Sequence, residues 1–153
     1  MISIVIPLHN ERENLNELTE RLVEASASWP EPSEFVLVDD GSTDSSWQFL
    51  ASWAREEPSV RVLTLSRNFG HQAAITAGLD AATGDAVVTM DGDLQDPPEL
   101  IPELVEKARE GYDVVYARRT SREGETPFKR ATAWLFYRVM RRLVHRDLPA
   151  DTG

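Results

Sequence analysis

Residues 86–99 read Ala-Val-Val-Thr-Met-Asp-Gly-Asp-Leu-Gln-Asp-Pro-Pro-Glu, a short apolar run that ends in two carboxylates. A β-branched run of this length, closed by turn residues, predicts a buried strand over Ala86–Met90. The two prolines predict the start of a helix, because proline fits the first helical turn. Strand, acidic turn and helix in this order are typical of one unit of an α/β sheet.

The same alternation continues on both sides of this stretch. Further strands are predicted at Ile2–Leu8, Phe35–Asp39, Val60–Leu65 and Val114–Ala117. Helices are predicted at Leu15–Ser28, Ser45–Arg55, Gly70–Ala81, Glu99–Arg109 and Lys129–Arg146. We therefore expect an α/β fold with a mainly parallel sheet flanked by helices, built as one domain over residues 1–153. Ligands of such sheets bind beyond the carboxyl ends of the strands.

Cysteine content and hydropathy indicate the cellular compartment in which the protein works. The sequence contains no cysteine, which excludes disulfides and thiolate zinc sites and is typical of a reducing compartment. It has no uninterrupted apolar run of about 18 residues, and no basic segment with an apolar one precedes the first predicted strand. We expect a cytoplasmic protein that is soluble or peripheral to a membrane.

Charge is distributed unevenly along the chain. The net charge is −10, which would argue against nucleic acid if it were evenly spread, and we expect no nucleic-acid partner. Residues 1–117 contain 7 Lys and Arg against 22 Asp and Glu, whereas residues 118–146 contain 9 against 2. The later segment is therefore predicted to meet an anionic surface or a phosphate group.

The acidic turn after residue 90 is a candidate metal site. Asp91 and Asp93 are two residues apart in extended chain, so both carboxylates can face one cation. Hard oxygen ligands favour Mg²⁺ or Mn²⁺, and Mg²⁺ takes one or two carboxylates together with substrate phosphates. The alternative is a solvated turn, because Asp-x-Asp is a common sequence.

A second acidic pair, Asp39 and Asp40, ends another predicted strand. Neighbouring carboxylates repel each other unless they meet donors or cations, and a base edge or a ribose hydroxyl would supply donors. The alternative is a tight turn whose acidic residue caps the next helix, and we favour it for Ser42, Thr43 and Asp44.

Five ordered motifs resemble the family 2 glycosyltransferases of the GT-A (Rossmann-like) type, and specifically the polyprenyl-phosphate glycosyltransferases related to dolichyl-phosphate mannose synthase. The motifs are Ile4–Glu11, Val38–Asp44, Ser66–Gly70, Met90–Glu99 and Ala117–Arg119. Each is short and unspecific alone, but together they span most of the chain. The residues Asp151–Gly153 resemble the start of a further family motif, so the sequence is predicted to be truncated at its C-terminal end.

The resemblance implies a role for each matching position. It implies nucleotide contacts at Pro7, Asn10, Glu11, Asp39, Asp40, Ser42 and Asp91. It implies a Mg²⁺ or Mn²⁺ site at Asp91, Asp93 and Gln95. It implies contacts with an acceptor phosphate at Arg118, Arg119, Lys129 and Arg130. The catalytic residues would then be Asp93, Asp151, Arg118 and Arg119.

The reaction that the resemblance implies is transfer of a sugar from a nucleoside-diphosphate sugar to undecaprenyl or dolichyl phosphate, with inversion at the anomeric carbon. A metal ion would stabilise the departing diphosphate. A lipid phosphate is already anionic, so only a hydroxyl acceptor would require a base, for which Asp151 is the candidate. The alternatives are a soluble polysaccharide-building glycosyltransferase, a nucleotidyltransferase, and a non-catalytic domain that binds nucleotides or docks on membranes.

The predicted helix Lys129–Arg146 is basic and amphipathic. Trp134 shares one arc with Arg130, Arg138, Arg141, Arg142 and His145, and apolar side chains fill the opposite side. Two interpretations remain open, a surface helix whose apolar face covers the domain and a helix at the interface of an anionic membrane. The second interpretation predicts attachment to the inner face of the membrane.

Overall fold

A computed structural model describes residues 1–117 of the chain. The strands are β1 (Ile2–Leu8), β2 (Ser33–Asp39), β3 (Val60–Thr64) and β4 (Ala86–Thr89). The helices are α1 (Leu15–Ser26), α2 (Ser46–Glu56), α3 (His71–Ala81) and α4 (Ile101–Arg109), with a 3₁₀ turn at Pro98–Leu100. The chain divides into two compact units, Met1–Asp113 and Val114–Gly153, and all of these elements belong to the first.

The four strands form a parallel sheet in the order β3-β2-β1-β4. The register pairs Leu8 with Asp39 and Val5 with Thr89. The loops that follow β1, β2 and β4 therefore leave the sheet at the same edge. This edge is where ligands of parallel α/β sheets bind.

Helices cover both faces of the sheet. Side chains alternate between the two faces along each strand, so both faces of the buried strands β1 and β2 carry side chains that helices cover. On one face Ile4 and Ile6 belong to a core that includes Leu18 and Leu22 of α1, all of them almost fully buried. On the other face α3 packs so closely that a Cβ on Gly78 would lie 2.3 Å from Val5 Cγ1. The predicted α/β architecture is thus confirmed for the first unit.

The prediction of a strand at Val114–Ala117 is wrong. These residues form no strand, and the side chains of Val114 and Tyr116 are 79% and 63% exposed. A strand exists only where a neighbour completes its hydrogen-bond ladder and buries one face, and a four-residue apolar pattern supplies neither. The predicted helix Lys129–Arg146 lies outside the described residues.

A buried carboxylate, Glu34, stabilises the edge of the sheet opposite the candidate site. It is 8% exposed and accepts hydrogen bonds from Ser3 Oγ at 2.6 Å, from the Thr83 N–H at 2.6 Å and from Thr83 Oγ1 at 2.8 Å. Arg61 Nη1 lies 3.4 Å from its other oxygen. Burial raises the pKa of Glu34, but these hydrogen bonds outweigh burial and lower the pKa from 4.5 to about 2.

Glu34→Gln is expected to lower the free energy of unfolding at pH 7 by about 1 to 3 kcal/mol, because a neutral amide oxygen is a weaker acceptor for the Ser3 and Thr83 donors and the amide nitrogen cannot accept from Arg61. A folded-state pKa below the ordinary value of 4.5 means that the carboxylate stabilises the fold fully above that pH. The contribution is lost as the pH falls towards about 2. The stabilities of the variant and the unchanged protein in urea unfolding should therefore differ equally at pH 7 and pH 5, and should approach each other as the pH falls from about 4.5 to pH 3.

Glu24→Gln is the matched control, because Glu24 is an exposed carboxylate on α1. It should change the stability little at any of these pH values. A stability deficit of Glu34→Gln that stays constant over this pH range would contradict the assigned pKa.

Candidate functional site

A cavity of about 260 Å³ opens at the carboxyl edge of the sheet. Its walls are the ends of β1, β2 and β4 with the loops that follow them, and the start of α3 with the loop before it. The lining residues are Pro7, Leu8, His9, Glu11, Asp40, Asn68, Gly70, His71, Ala74, Asp91, Gly92 and Asp93. This location agrees with the rule that ligands of parallel α/β sheets bind beyond the carboxyl ends of the strands, which we call the strand-end rule.

The structure brings together five of the residues that the sequence predicts for nucleotide or metal. Those on the cavity wall are Pro7, Glu11, Asp40, Asp91 and Asp93. Those in the adjoining loops or strand ends, away from the cavity wall, are Asn10, Asp39, Ser42 and Gln95. The residues predicted for the acceptor phosphate, and the catalytic candidate Asp151, lie outside the described residues. The acceptor residues are Arg118, Arg119, Lys129 and Arg130.

The two adjacent carboxylates at the end of β2 differ in their contacts. Asp39 is 1% exposed and accepts hydrogen bonds from Thr64 Oγ1 at 3.0 Å and from the Ser42 N–H at 3.3 Å. Asp40 borders the cavity and accepts hydrogen bonds from the backbone N–H groups of Phe69 and Gly70, at 2.8 and 2.9 Å. Asp39 therefore joins β2 to β3, and Asp40 anchors the loop between β3 and α3 beside the cavity.

Gly41 makes this anchoring possible. Its φ is +63°, and a Cβ there would lie 2.3 Å from the carbonyl carbon of Arg67 and 2.6 Å from the nitrogen of Asn68. The backbones after β2 and β3 are thus in direct contact. Any side chain at this position would separate the two loops, and the second loop carries Asn68 into the cavity wall.

Asn10 and Ser42 lock the loops after β1 and β2 together. Asn10 adopts φ 57°, and its Oδ1 accepts a hydrogen bond from the Thr43 N–H at 2.8 Å. The Asn10 N–H donates to Ser42 Oγ at 2.9 Å. The Ser46 N–H at the start of α2 donates to Asp44 at 2.8 Å, the capping role predicted from the sequence. Burial raises the pKa of Asp44, but its hydrogen bonds outweigh burial and lower it.

The turn after β4 presents two carboxylates to the cavity. Asp91 is 56% exposed, and His71 Nε2 lies 3.6 Å from its Oδ1. The Gln95 N–H donates to Asp93 Oδ1 at 3.0 Å. A Cβ on Gly92 would lie 2.2 Å from Leu8 Cδ2, so the turn packs flat on β1.

The donor chemistry of this turn fits Mg²⁺ or Mn²⁺. In residues 1–117 no three side chains of His, Cys, Asp or Glu form a group that could hold a metal ion by themselves. Mg²⁺ does not require such a group, because it binds one or two carboxylates and completes its shell with water and substrate phosphates. Asp91 and Asp93 supply two carboxylates beside an open cavity.

Three polar cavity residues were missed by sequence reasoning. His9, Asn68 and His71 line the cavity, and His9 Nδ1 lies 2.8 Å from the backbone oxygen of Asp40. His9 follows β1 directly, Asn68 lies in the loop after β3, and His71 is the first residue of α3 at the end of that loop. The strand-end rule, applied to every polar residue and not only to carboxylates, could have found them.

A family model described as glycosyl transferase family 2 matches residues 3–152. The chain belongs to this family. An uncharacterised glycosyltransferase of Bacillus subtilis (strain 168) is 50% identical over 151 residues, which are 99% of this chain and 47% of that protein. The undecaprenyl-phosphate 4-deoxy-4-formamido-L-arabinose transferase of Klebsiella pneumoniae (strain 342) is 44% identical over 142 residues, which are 92% and 43% of the two chains. This family 2 chain thus spans about half the length of these relatives.

Solved structures confirm the fold of the family 2 chain. A mannosyltransferase from Pyrobaculum calidifontis, solved with GDP-mannose and Mn²⁺, matches 92% of this chain and 38% of its own, with a TM-score of 0.63 and 23% identity. The predicted GT-A type of α/β fold is therefore confirmed. In residues 1–117, no helix combines the length and the apolar composition that crossing a bilayer requires.

Proposed function

We propose that this chain is the donor-binding part of a glycosyltransferase that moves a sugar from a nucleoside-diphosphate sugar to polyprenyl phosphate, with inversion at the anomeric carbon. The observation that carries the proposal is the cavity in which Asp91 and Asp93 lie beside Asp40 and Glu11 at the carboxyl edge of the sheet. The family membership and the relatives named as glycosyltransferases support it.

The donor would lie across the cavity, with its nucleoside against the loops after β1 and β2 and its diphosphate towards the turn after β4. Pro7 would supply an apolar wall for the base, and Glu11 and Asp40 would accept hydrogen bonds from base or ribose. The two carboxylates of Asp91 and Asp93 would repel a diphosphate without a cation between them.

Asp91 and Asp93, with Gln95 from the same turn, would hold Mg²⁺ or Mn²⁺. The bound ion would supply Lewis-acid stabilisation of the charge that develops on the departing nucleoside diphosphate. The loops joined through Asp40 and Asn10 would keep the donor oriented while the glycosidic bond breaks.

Polyprenyl phosphate is the proposed acceptor because the relative from Klebsiella pneumoniae is named for transfer to undecaprenyl phosphate. In this chain the basic residues Arg118, Arg119, Lys129 and Arg130 would meet the acceptor phosphate. A phosphate is already ionised near neutral pH, so its orientation would matter more than proton removal. Asp151 would serve as a base only with a hydroxyl acceptor.

Calorimetric titration of the chain with uridine, guanosine and cytidine diphosphates, with and without Mn²⁺, tests the donor proposal. One of these nucleotides should bind clearly more tightly than the others, and only when the metal is present. Equal, chelator-insensitive binding would contradict the metal assignment. Release of pyrophosphate from a nucleoside triphosphate supplied with a sugar phosphate, and no release of nucleoside diphosphate from a sugar nucleotide, would identify a nucleotidyltransferase.

The neighbouring carboxylates give a matched pair of variants for base selectivity. Asp40→Asn is expected to weaken binding of the preferred nucleotide about tenfold and to flatten the preference among bases, because Asp40 borders the cavity. Asp39→Asn should weaken all nucleotides alike, since its contacts are to Thr64 and Ser42. The measurement is the dissociation constant of the three diphosphates with Mn²⁺. If Asp39→Asn alone reduced the preference among the three nucleotides, base recognition would be assigned to Asp39 and not to Asp40.

We also propose that the basic segment Lys129–Arg146 lies at an anionic membrane surface, which predicts salt-dependent binding to anionic liposomes. Replacing Arg138, Arg141 and Arg142 by Gln should remove most of the binding, because each cation near such a surface contributes about 1 kcal/mol. Salt should weaken the binding, since charges are screened over about 8 Å at physiological ionic strength. Co-sedimentation with liposomes measures it, and Arg55→Gln, an exposed arginine of α2, is the control. Unchanged co-sedimentation of the triple variant would favour a soluble saccharide acceptor.

A further inference from the structure

The turn that carries the proposed metal ligands contains a strained residue. Leu94 has φ 65°, and in residues 1–117 Asn10 is the other non-glycine residue with positive φ. Asn can stabilise this conformation through its short polar side chain, but Leu cannot. Such a conformation persists only where the surrounding structure enforces it. Leu94 stands between Asp93 and Gln95, so whatever enforces its conformation also sets their orientation.

The contacts of Leu94 come from distant parts of the chain. Its side chain packs against the hydrophobic core. Its backbone oxygen accepts a hydrogen bond from Arg21 Nη1 at 3.4 Å, across 73 residues of sequence. The same guanidinium lies 3.5 Å from Glu99 Oε2, so Arg21 contacts both the acidic turn and the 3₁₀ turn that follows it.

Arg21 is well suited to fix the turn, because its helix cannot move independently of the sheet. The neighbouring residue Leu22 and the residue Leu18 one turn earlier are almost fully buried in the core. The side chain of Arg21 is 29% exposed, and its planar guanidinium reaches two acceptors at once. The helix α1 also packs against the 3₁₀ turn Pro98–Leu100 that follows the acidic turn.

We infer that Arg21 is a positioning residue that, through the backbone of Leu94, holds the acidic turn in the conformation that binds the divalent cation. The inference rests on the proposed function, because it assigns the cation to Asp91 and Asp93. If the Leu94 peptide relaxed to an ordinary φ, Gln95 would reorient, and its N–H would lose the hydrogen bond to Asp93 Oδ1.

The test compares Mn²⁺ affinity, measured by electron paramagnetic resonance of free Mn²⁺, in the unchanged chain and in three variants. Arg21→Met keeps an unbranched side chain but loses both polar contacts, and it should weaken Mn²⁺ binding about tenfold. Arg21→Lys retains a cation that reaches one acceptor, and it should recover part of the affinity. Glu99→Gln removes the ion pair and leaves the contact with the Leu94 oxygen, so its affinity should match the unchanged chain.

The outcomes separate the inference from the proposal on which it rests. No Mn²⁺ binding by the unchanged chain, either alone or with nucleoside diphosphate present, would defeat the metal proposal whatever Arg21 does. If binding requires the diphosphate, the variants are compared in its presence. Strong binding by the unchanged chain and equal binding by Arg21→Met would overturn the positioning role. An equal loss in Glu99→Gln would also overturn it, because the ion pair and not the Leu94 carbonyl would then be responsible. Circular dichroism must show each variant folded, and Arg21→Lys keeps the test decisive if Arg21→Met does not fold.

Discussion

Asp93→Ala is expected to lower the rate of sugar transfer by roughly 100- to 1,000-fold, because it removes one of the two carboxylates proposed to hold the metal at the departing diphosphate. The same change should abolish the enhancement of nucleoside-diphosphate binding by Mn²⁺. The rate is measured as release of nucleoside diphosphate from the sugar donor. The binding is measured by calorimetry with and without the metal.

Asp80→Ala is the control for the loss of one negative charge. Asp80 is an exposed carboxylate near the end of α3, outside the cavity lining. Both the transfer rate and the effect of Mn²⁺ should survive this change. Persistence of a metal-dependent rate in Asp93→Ala would refute the assignment of the ligand.

Gly41→Ala should lower the free energy of unfolding by about 3 kcal/mol, because the added methyl group would combine a backbone clash with a positive φ. A Cβ at this position would overlap the backbone of Arg67 and Asn68, and the residue has a φ of +63°. The clash would also push the loop after β3 away from the cavity. Urea unfolding measures the stability, and nucleotide titration measures the effect on the cavity.

Gly111→Ala is the control that separates the cost of a positive φ from the cost of the clash with the loop after β3. Gly111 also has a positive φ, +107°, but a Cβ there would meet nothing within 4 Å. This control should therefore cost only about 1 kcal/mol, the price of the left-handed backbone, and should leave nucleotide binding intact. Equal losses in the two variants would mean that the contact of the two loops contributes nothing.

The alternation of apolar and turn residues was enough to predict β1 to β4 and the helices between them. Each of these strands pairs with at least one neighbour in the parallel sheet, so the local pattern and the tertiary structure agree. Val114–Ala117 has an equally apolar pattern but forms no strand, because pairing is a property of the neighbour and not of the segment.

The position of the cavity followed from the carboxyl ends of the strands, but the division of roles within it did not. Asp39 and Asp40 are adjacent and chemically identical in sequence, and only the fold turns one towards Thr64 and the other towards the cavity. The contact between Arg21 and the Leu94 oxygen joins residues 73 positions apart and involves a backbone atom. No pattern in the amino-acid sequence predicts a contact between a side chain and a distant backbone atom.

The close packing of Gly92 on Leu8 restricts which substitutions this site can accept during evolution. A Cβ on Gly92 would lie 2.2 Å from Leu8 Cδ2, and Leu8 is only 2% exposed, so its side chain has little room to turn away. The two positions share one volume, and a larger residue in the acidic turn requires a smaller one at the end of β1. Substitutions at these positions should therefore be correlated among related sequences, with alanine at the first accompanied by a shorter side chain at the second.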